Sequence, residues 1–400
     1  MLLQQRCVII AAALAAAEAV VPGAVVPLWE QSWQLKRSTI AMVCNNSGRV
    51  DPVWGAQWAV LDLDWNGDKT NWSKTRPMTV EEDMVANMAE VKMVNPQTLT
   101  WVYRNGCKAL PWHTSVRTLL EDRSQWGLFV PLAGCMPSPG EYVCGPNATQ
   151  NLYFDKEQTP SGDCGDGVQC GEYVFDHRNA SLRSFLLGDY FFGKNGAANP
   201  AVDGFYVDDA WSKNGCSEMD ANSVEKMGLT PAQVADMIAA WSANQQAWRD
   251  ALVAAEKWEW ALFYGGQQTA PGQNQTCGQC SCAAYLKANC GATAPSQNGT
   301  LFYGYSRIAH SQPFPLPSPD QDLAAFLLTR GPYAYFGYGW TGCIDATHPF
   351  TRPASLDLDL GDPLGFCAET APGSGVWTRE YAKYTVSLDC GKWEAAFTPK

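Results

Sequence analysis

The sequence predicts an α/β fold, a (β/α)8 TIM-type barrel with a disulfide-rich insertion and a small C-terminal β appendage. Three observations predict it. Short apolar runs alternate with segments of helical periodicity, the pattern of a parallel sheet covered by helices. Acidic residues close several of those runs, where a parallel barrel gathers its working groups. The 400 residues exceed the usual single core, a length that α/β barrels with insertions reach as one domain.

The first apolar run, Trp58 to Trp65 (WAVLDLDW), ends in acids, and Val80, Met84, Met88 and Val91 follow at helical spacing over 79–94. Thr79 with Glu82 three residues on reads as a capping box. Next come a strand over Leu99 to Arg104, a short helix over 115–122 and a strand over Trp126 to Leu132. The stretch at about 134–171 is rich in Cys, Gly and Pro and lacks periodicity, so it reads as an inserted loop near a functional rim. A strand at Tyr173 to Phe175 follows, then a helix over 182–192 and the strand Gly204 to Val207. A long helix over 231–255 opens with Thr230 as N-cap and Pro231 in its first turn. The alternation then repeats as strand 260–264, helix 282–289, strand 301–305, helix 321–329 and strand 333–338. Beyond 356, Gly and Pro turns separate short β-type runs such as Tyr384 to Leu388. The expected organisation is a signal peptide over 1–25, the barrel over 26–355 and a β-rich segment over 356–400.

The leader expectation rests on an Arg6-containing start, the apolar run Cys7 to Ala17 and small residues around Ala19. An uncleaved anchor is the competing reading; no later segment reaches membrane-spanning length. Of 15 cysteines Cys7 would leave with the leader, and an even fourteen remain for disulfides in an oxidising compartment. The cluster Cys277, Cys280, Cys282 and Cys290 also admits a zinc reading, which the compartment disfavours. Six Asn-x-Ser/Thr sequons, at Asn45, Asn71, Asn147, Asn179, Asn274 and Asn298, suit a glycoprotein.

A net charge of −12, from 40 acidic and 28 basic residues with no basic run, excludes nucleic acid as a partner. The 17 Trp, 15 Tyr and 15 Phe suffice for a large core and for a cleft lined with rings. No Gly-x-Ser-x-Gly elbow, phosphate loop or dinucleotide fingerprint appears, so no cofactor is expected.

The acids at strand ends are Asp62 and Asp64, Asp176, and Asp208 with Asp209. Glycoside hydrolysis needs two carboxyl groups, one to protonate the leaving oxygen and one to attack or to activate water. Asp208, Asp176 and Asp209 are the catalytic candidates, with Asp208 facing the barrel axis and Asp209 at the rim because neighbours on a strand point oppositely. Asp62, Asp64, Trp65, Tyr103, Arg104, His177, Tyr206, Trp211, Tyr264, Tyr305 and Trp340 are the candidate sugar contacts. Any one strand-end Asp can equally be a helix cap, and any one ring can be core.

The stretch FDHRNASLRSFLL followed by VDGFYVDDAW resembles TIM-barrel glycoside hydrolases and their hypothetical glycosyl-hydrolase-like relatives. The resemblance implies that Asp176 closes a strand and that Asn179 and Arg183 start the next helix. It also implies that Asp203, Gly204, Phe205 and Asp208 belong to a strand bearing a principal carboxylate. Asn179 would then be packed and its sequon unused. LDLGDPLG at 358–365 and REYAKYTV at 379–386 are similar to the closing segment and β element of the same relatives. The general acid has no signature: Glu259, Asp320 and Asp322 compete.

Asp62-x-Asp64-x-Asn66-Gly67-Asp68 matches the first half of a calcium loop, but Ser73 stands where a bidentate Glu is required; a rim turn is the other reading, and no metal is assigned. The expected function is a secreted, monomeric glycoside hydrolase acting on an oligo- or polysaccharide, without membrane attachment after leader removal. In it Asp208 serves as nucleophile or base, and Asp176, Asp62 or Asp64 as support. A glycan-binding barrel without catalysis and a structural extracellular protein are the alternatives.

Overall fold

The computed structural model describes residues 32–138, 141–143, 151–155, 160–217, 219, 222–261, 282–292, 300–303, 319–332, 334–341 and 352–400. Its centre is a sheet of seven strands: β1 Thr39–Val43, β2 Val60–Leu63, β3 Leu99–Asn105, β4 Gly204–Asp208, β5 Trp258–Ala261, β6 Thr300–Tyr303 and β7 Ala334–Thr341. Every pairing is parallel, in the order β5-β4-β3-β2-β1-β7-β6. Each strand lies beside its sequence neighbour or, at β1 and β7, joins the two ends of the series. That is the cyclic order of a barrel, cut between β5 and β6.

Two expectations need correction here. Among the described residues the sheet has seven strands, not eight, and it is not closed. The segments expected as its third and fourth strands lie elsewhere: residues 123–128 are a 3-10 turn, and Glu172–Val174 pairs antiparallel with Lys108–Ala109 and Phe154–Asp155 in a small separate sheet. β1 was not expected. Its five residues TIAMV are too few for alternation to register, and all five are buried.

The helices α1 Val80–Val94, α2 Thr114–Glu121, α3 Ala180–Phe185, α4 Pro231–Ala254, α5 Cys282–Asn289 and α6 Pro319–Thr329 complete the alternation. The capping box expected at Thr79 does not form; Glu82 accepts from Thr114 Oγ1 and Asn195 Nδ2 instead. That at Thr230 does form, with Gln233 returning the bond and Pro231 opening α4. The Cys-rich stretch is not structureless: Met136–Ser138 pairs antiparallel with Glu141–Val143 and Asp163–Gly165 with Val168–Gln169, and Cys164 pairs with Cys170.

The C-terminal segment is an antiparallel meander, β8 Ala368–Glu369, β9 Val376–Glu380, β10 Tyr384–Asp389 and β11 Glu394–Pro399. It is fastened to the helical layer. Arg379 Nη1 donates to the carbonyls of Leu327, Leu328 and Arg330, and Tyr381 Oη to that of Leu327, which satisfies the orphan end of α6. Cys282–Cys390 and Cys290–Cys367 tie α5 to the same element. Cys282 and Cys290 are therefore bridged, and Cys277 and Cys280 of the zinc reading lie outside the described residues. No described helix is long and apolar enough to cross a membrane.

Candidate active site

Register decides what faces the inside of the sheet. A Cβ on Gly55 would stand 2.9 Å from a Leu61 methyl and 3.0 Å from a Val91 methyl, so Leu61 faces the helical side and its neighbour Asp62 points the other way. Met42, Asp62, Trp101, Gly204 and Trp258 are cross-strand partners and form one interior row. Gly204 is required in it: a Cβ there would stand 2.7 Å from Trp101 Nε1. One step toward the C-terminal ends stand Tyr103, Tyr206 and Trp260, with Asp64 one residue beyond β2. Ring centroids are 5.7 Å apart for Tyr103–Tyr206 and 4.9 Å for Tyr206–Trp260. Above this aromatic floor Asn105 and Asp208 are partners across β3 and β4.

Asp208 is held by its neighbours. Tyr103 Oη donates to Oδ2 at 3.1 Å, Tyr206 Oη to Oδ1 at 3.4 Å, and the Asp209 N–H to Oδ1 at 2.8 Å. Its partial exposure leaves it approachable, whereas Asp209 is buried and turned aside by a left-handed backbone, φ 59°. Asp209 Oδ2 accepts from Asn105 Nδ2 at 2.6 Å and lies 3.5 Å from Lys108 Nζ. Lys108 also pairs with Glu172 at 3.1 Å.

Asp64 interacts electrostatically with Asp208. Burial raises its pKa to about 7, with the Asp208 charge adding to the rise and bonds from Asn66 opposing it. Asp62 beneath it is fully buried, neither oxygen is hydrogen-bonded among the described residues, and burial with the Asp64 charge pushes its pKa well up. In the calcium-type segment Asp64 Oδ1 takes the Asn66 N–H, and Asn66 Oδ1 takes Lys69 Nζ at 3.2 Å. Lys69 also lies 4.4 Å from the Trp65 ring centroid, and burial lowers its pKa against the pull of Asp64 and Glu172.

The structure thus brings together Asp62, Asp64, Trp65, Tyr103, Tyr206, Asp208 and Asp209. Others leave the group. Asp176 lies just past the end of the separate sheet's central strand, where Arg178 Nε and Nη2 engage its two oxygens at 2.8 and 2.7 Å. Arg104 faces outward from β3 into the core and pairs with buried Glu81 at 3.2 Å. Trp211 is buried in a satellite core beside Met237 and Trp241. Tyr264 and Tyr305 lie outside the described residues, as does the side chain of Trp340. Of the competing acids, Glu259 faces α4 and accepts from Trp248 Nε1 at 2.7 Å, Asp320 is exposed and Asp322 is buried in the first turn of α6.

His177, expected as a sugar contact, is held as a brace. It is buried, its Nε2 donates to Gly106 O at 2.8 Å and its Nδ1 accepts from Asn244 Nδ2 at 3.0 Å. Arg183 Nε donates to Asn244 Oδ1 at 2.8 Å, which fixes that amide's orientation and hence the histidine tautomer. Burial lowers the His177 pKa to about 4, so the ring is neutral. Gly106 N–H in turn donates to Asp208 O at 2.8 Å, so the chain from Arg183 ends on the backbone of Asp208. Asp203 works at the other end of β4, where its Oδ2 accepts from the Thr100 N–H and pairs with Lys92. Asn179 caps α3 and its Nδ2, the atom a glycan would take, donates to Gly127 O at 2.7 Å.

Sequence reasoning missed Asn105, Lys69, Lys108, Glu172 and Asn244. Asn105-Gly106 after a strand was a usable turn signal; the others carry none.

No protein-family model matches the chain, and no curated protein matches it. Among solved structures it is similar to a cyclic α-maltosyl-(1→6)-maltose hydrolase from Arthrobacter globiformis, at 10% identity and TM-score 0.46, covering 92% of this chain and 98% of that one. It is also similar to a Nostoc punctiforme debranching enzyme, at 8% identity and TM-score 0.41, covering 90% and 91%. An inactive double mutant of MUTB overlaps at 10% identity and TM-score 0.37, covering 76% of this chain. The chain spans 65% of the length of that protein and 45% of that of an isomaltulose synthase from Erwinia rhapontici. These TM-scores are below 0.5, so the barrel order rests on strand pairing and not on the likenesses.

Proposed function

We propose that the chain is a glycoside hydrolase that works outside the cytosol on an oligo- or polysaccharide, with Asp208 attacking the anomeric carbon or activating water there. One observation carries the reading. Asp208 closes β4 of a barrel-ordered parallel sheet, gripped by two tyrosine hydroxyls above an aromatic floor and beside a second carboxyl, Asp64. Rings that stack on sugar faces and carboxyls that bind or protonate oxygen are the parts such chemistry uses. The bridges Cys107–Cys216, Cys164–Cys170, Cys282–Cys390 and Cys290–Cys367 support an oxidising compartment.

The test is a screen of the oxidised protein against a broad glycan panel beside its Asp208→Asn variant. Sugar release by the wild type alone supports the proposal. Binding without release, measured by calorimetry on the same glycans, makes the protein a glycan-binding barrel instead.

A further inference from the structure

We propose that Asp64 is the general acid of this site, delivering a proton from Oδ2 to the glycosidic oxygen while Asp208 acts at the anomeric carbon. The inference rests on the hydrolase reading above and supplies the partner that reading lacks.

Hydrogen bonding assigns the proton. Asp64 Oδ1 accepts two N–H bonds from Asn66, from the backbone at 2.8 Å and from Nδ2 at 3.0 Å. An oxygen that accepts twice has its lone pairs engaged, so the acid hydrogen belongs on Oδ2. Among the described residues no hydrogen bond to Oδ2 is present. Asp64 stands at the level of Tyr103 on the adjoining strand, and Tyr103 bonds Asp208. Asp64 and Asp208 therefore approach one space from two strands. The rival acids are engaged elsewhere, Asp176 by Arg178 and Glu259 by Trp248.

The electrostatics agree. The groups around Asp64 are Asp62 on its own strand, Asn66 and Lys69 in the following turn, Tyr103 on β3 and Asp208 on β4, with Glu172 beyond Lys69. Burial and Asp208 outweigh Asn66 and Lys69, so Asp64 keeps its proton up to about pH 7. A carboxyl that keeps its proton beside a second carboxyl suits the donor's part of such a pair.

In the step itself, the Asp64 proton passes to the glycosidic oxygen as the C1–O electron pair moves onto that oxygen, which leaves as a neutral alcohol. Either an Asp208 lone pair bonds C1, or a water does so while giving a proton to Asp208. In the first course a later water displaces Asp208 and returns a proton to Asp64. In the second, solvent exchange reprotonates Asp64 and deprotonates Asp208.

The experiment compares methyl and 2,4-dinitrophenyl glycosides of a panel of common hexoses with wild type, Asp64→Asn and Asp208→Asn. A dinitrophenolate leaves without a proton. Asp64→Asn should lower kcat/KM on the methyl glycoside by roughly 10²–10⁴-fold and on the dinitrophenyl glycoside by less than about tenfold. Asp208→Asn should suppress both alike. The alkaline limb of the wild-type methyl profile, near pH 7, should vanish in Asp64→Asn and move upward in Asn66→Ala, which loses a bond favouring the carboxylate. Equal losses on both glycosides, or unchanged methyl turnover, in a folded Asp64→Asn protein overturn Asp64 as the acid and leave the hydrolase reading standing. No release by the wild type from any glycoside overturns both.

Discussion

Asn105 donates its Nδ2–H to Asp209 Oδ2 at 2.6 Å, joining the ends of two neighbouring strands. The same nitrogen donates to Tyr103 Oη at 2.8 Å, and Oδ1 accepts the N–H groups of Cys107 and Lys108. The amide is thus fully used. It holds Asp209 in a left-handed conformation that a non-glycine residue adopts at a cost of about 1–3 kcal/mol, and the Asp209 N–H then orients Asp208.

Asn105→Ala should therefore lower both stability and turnover. Leaving Asp209 and two backbone N–H groups without this partner should cost about 2–3 kcal/mol, read by urea unfolding. An unfolding free energy equal to the wild type's would show that water replaces the amide and that Asn105 is dispensable.

Tyr103→Phe tests the hold on Asp208. The ring stays in the floor, and the hydroxyl is lost with its bond to Asp208 Oδ2 and the one it accepts from Asn105 Nδ2. Turnover should fall by roughly 10-fold or more while the fold persists, since one hydrogen bond to a charged group is worth about 1.5–3 kcal/mol. Full activity with an unchanged pH profile would remove Tyr103 from the machinery.

The strands and the acids at their ends were largely legible because both are local signals. Gly204 to Val207 could be read as a strand closed by an acid, and the strand Gly204–Asp208 carries Asp208 at its end. Whether an apolar run joins the central sheet is not local. Tyr173–Phe175 and Gly204–Val207 look alike in sequence, yet the first pairs antiparallel at the side, which takes Asp176 out of the interior. Facing was equally hidden at Arg104: one step along β3 from Tyr103 it is turned into the core, where Glu81 and the carbonyls of Tyr190 and Asn195 receive it. Lys108 and Glu172 come together only because the small side sheet brings them there, so no spacing could have announced them.

The Cys107–Cys216 bridge links the turn after Asn105 to the hairpin that follows Asp209. It closes 109 residues of sequence separation, and its loss should destabilise the chain by about 2–5 kcal/mol. A Cys107→Ser/Cys216→Ser double variant should also lose turnover beyond what its unfolded fraction explains, because both attachments flank the Asp208 strand end. Activity per folded molecule equal to the wild type's would make the bridge a stability element alone.

Glu259 and His177 give the stability opposite pH dependences. Burial raises Glu259 from 4.5 to about 7, so between those values the folded chain holds a proton that the unfolded chain has released, and stability falls as pH rises. Discounted for partial exposure, the effect is on the order of 2 kcal/mol. Glu259→Gln keeps an acceptor for Trp248 and removes the titration, so its advantage over wild type should be small near pH 4.5 and complete above pH 7. His177, lowered from 6.5 to about 4, contributes stability that is whole above pH 6.5 and is lost as pH falls toward 4, because the unfolded chain takes up the proton first. His177→Gln should therefore be most destabilised at pH 8, with the deficit shrinking toward pH 4.5. Urea unfolding of the three proteins at pH 4.5, 6 and 8 separates the two slopes. A difference for Glu259→Gln that does not change with pH would mean that Trp248 donates to an ionised Glu259 throughout this range.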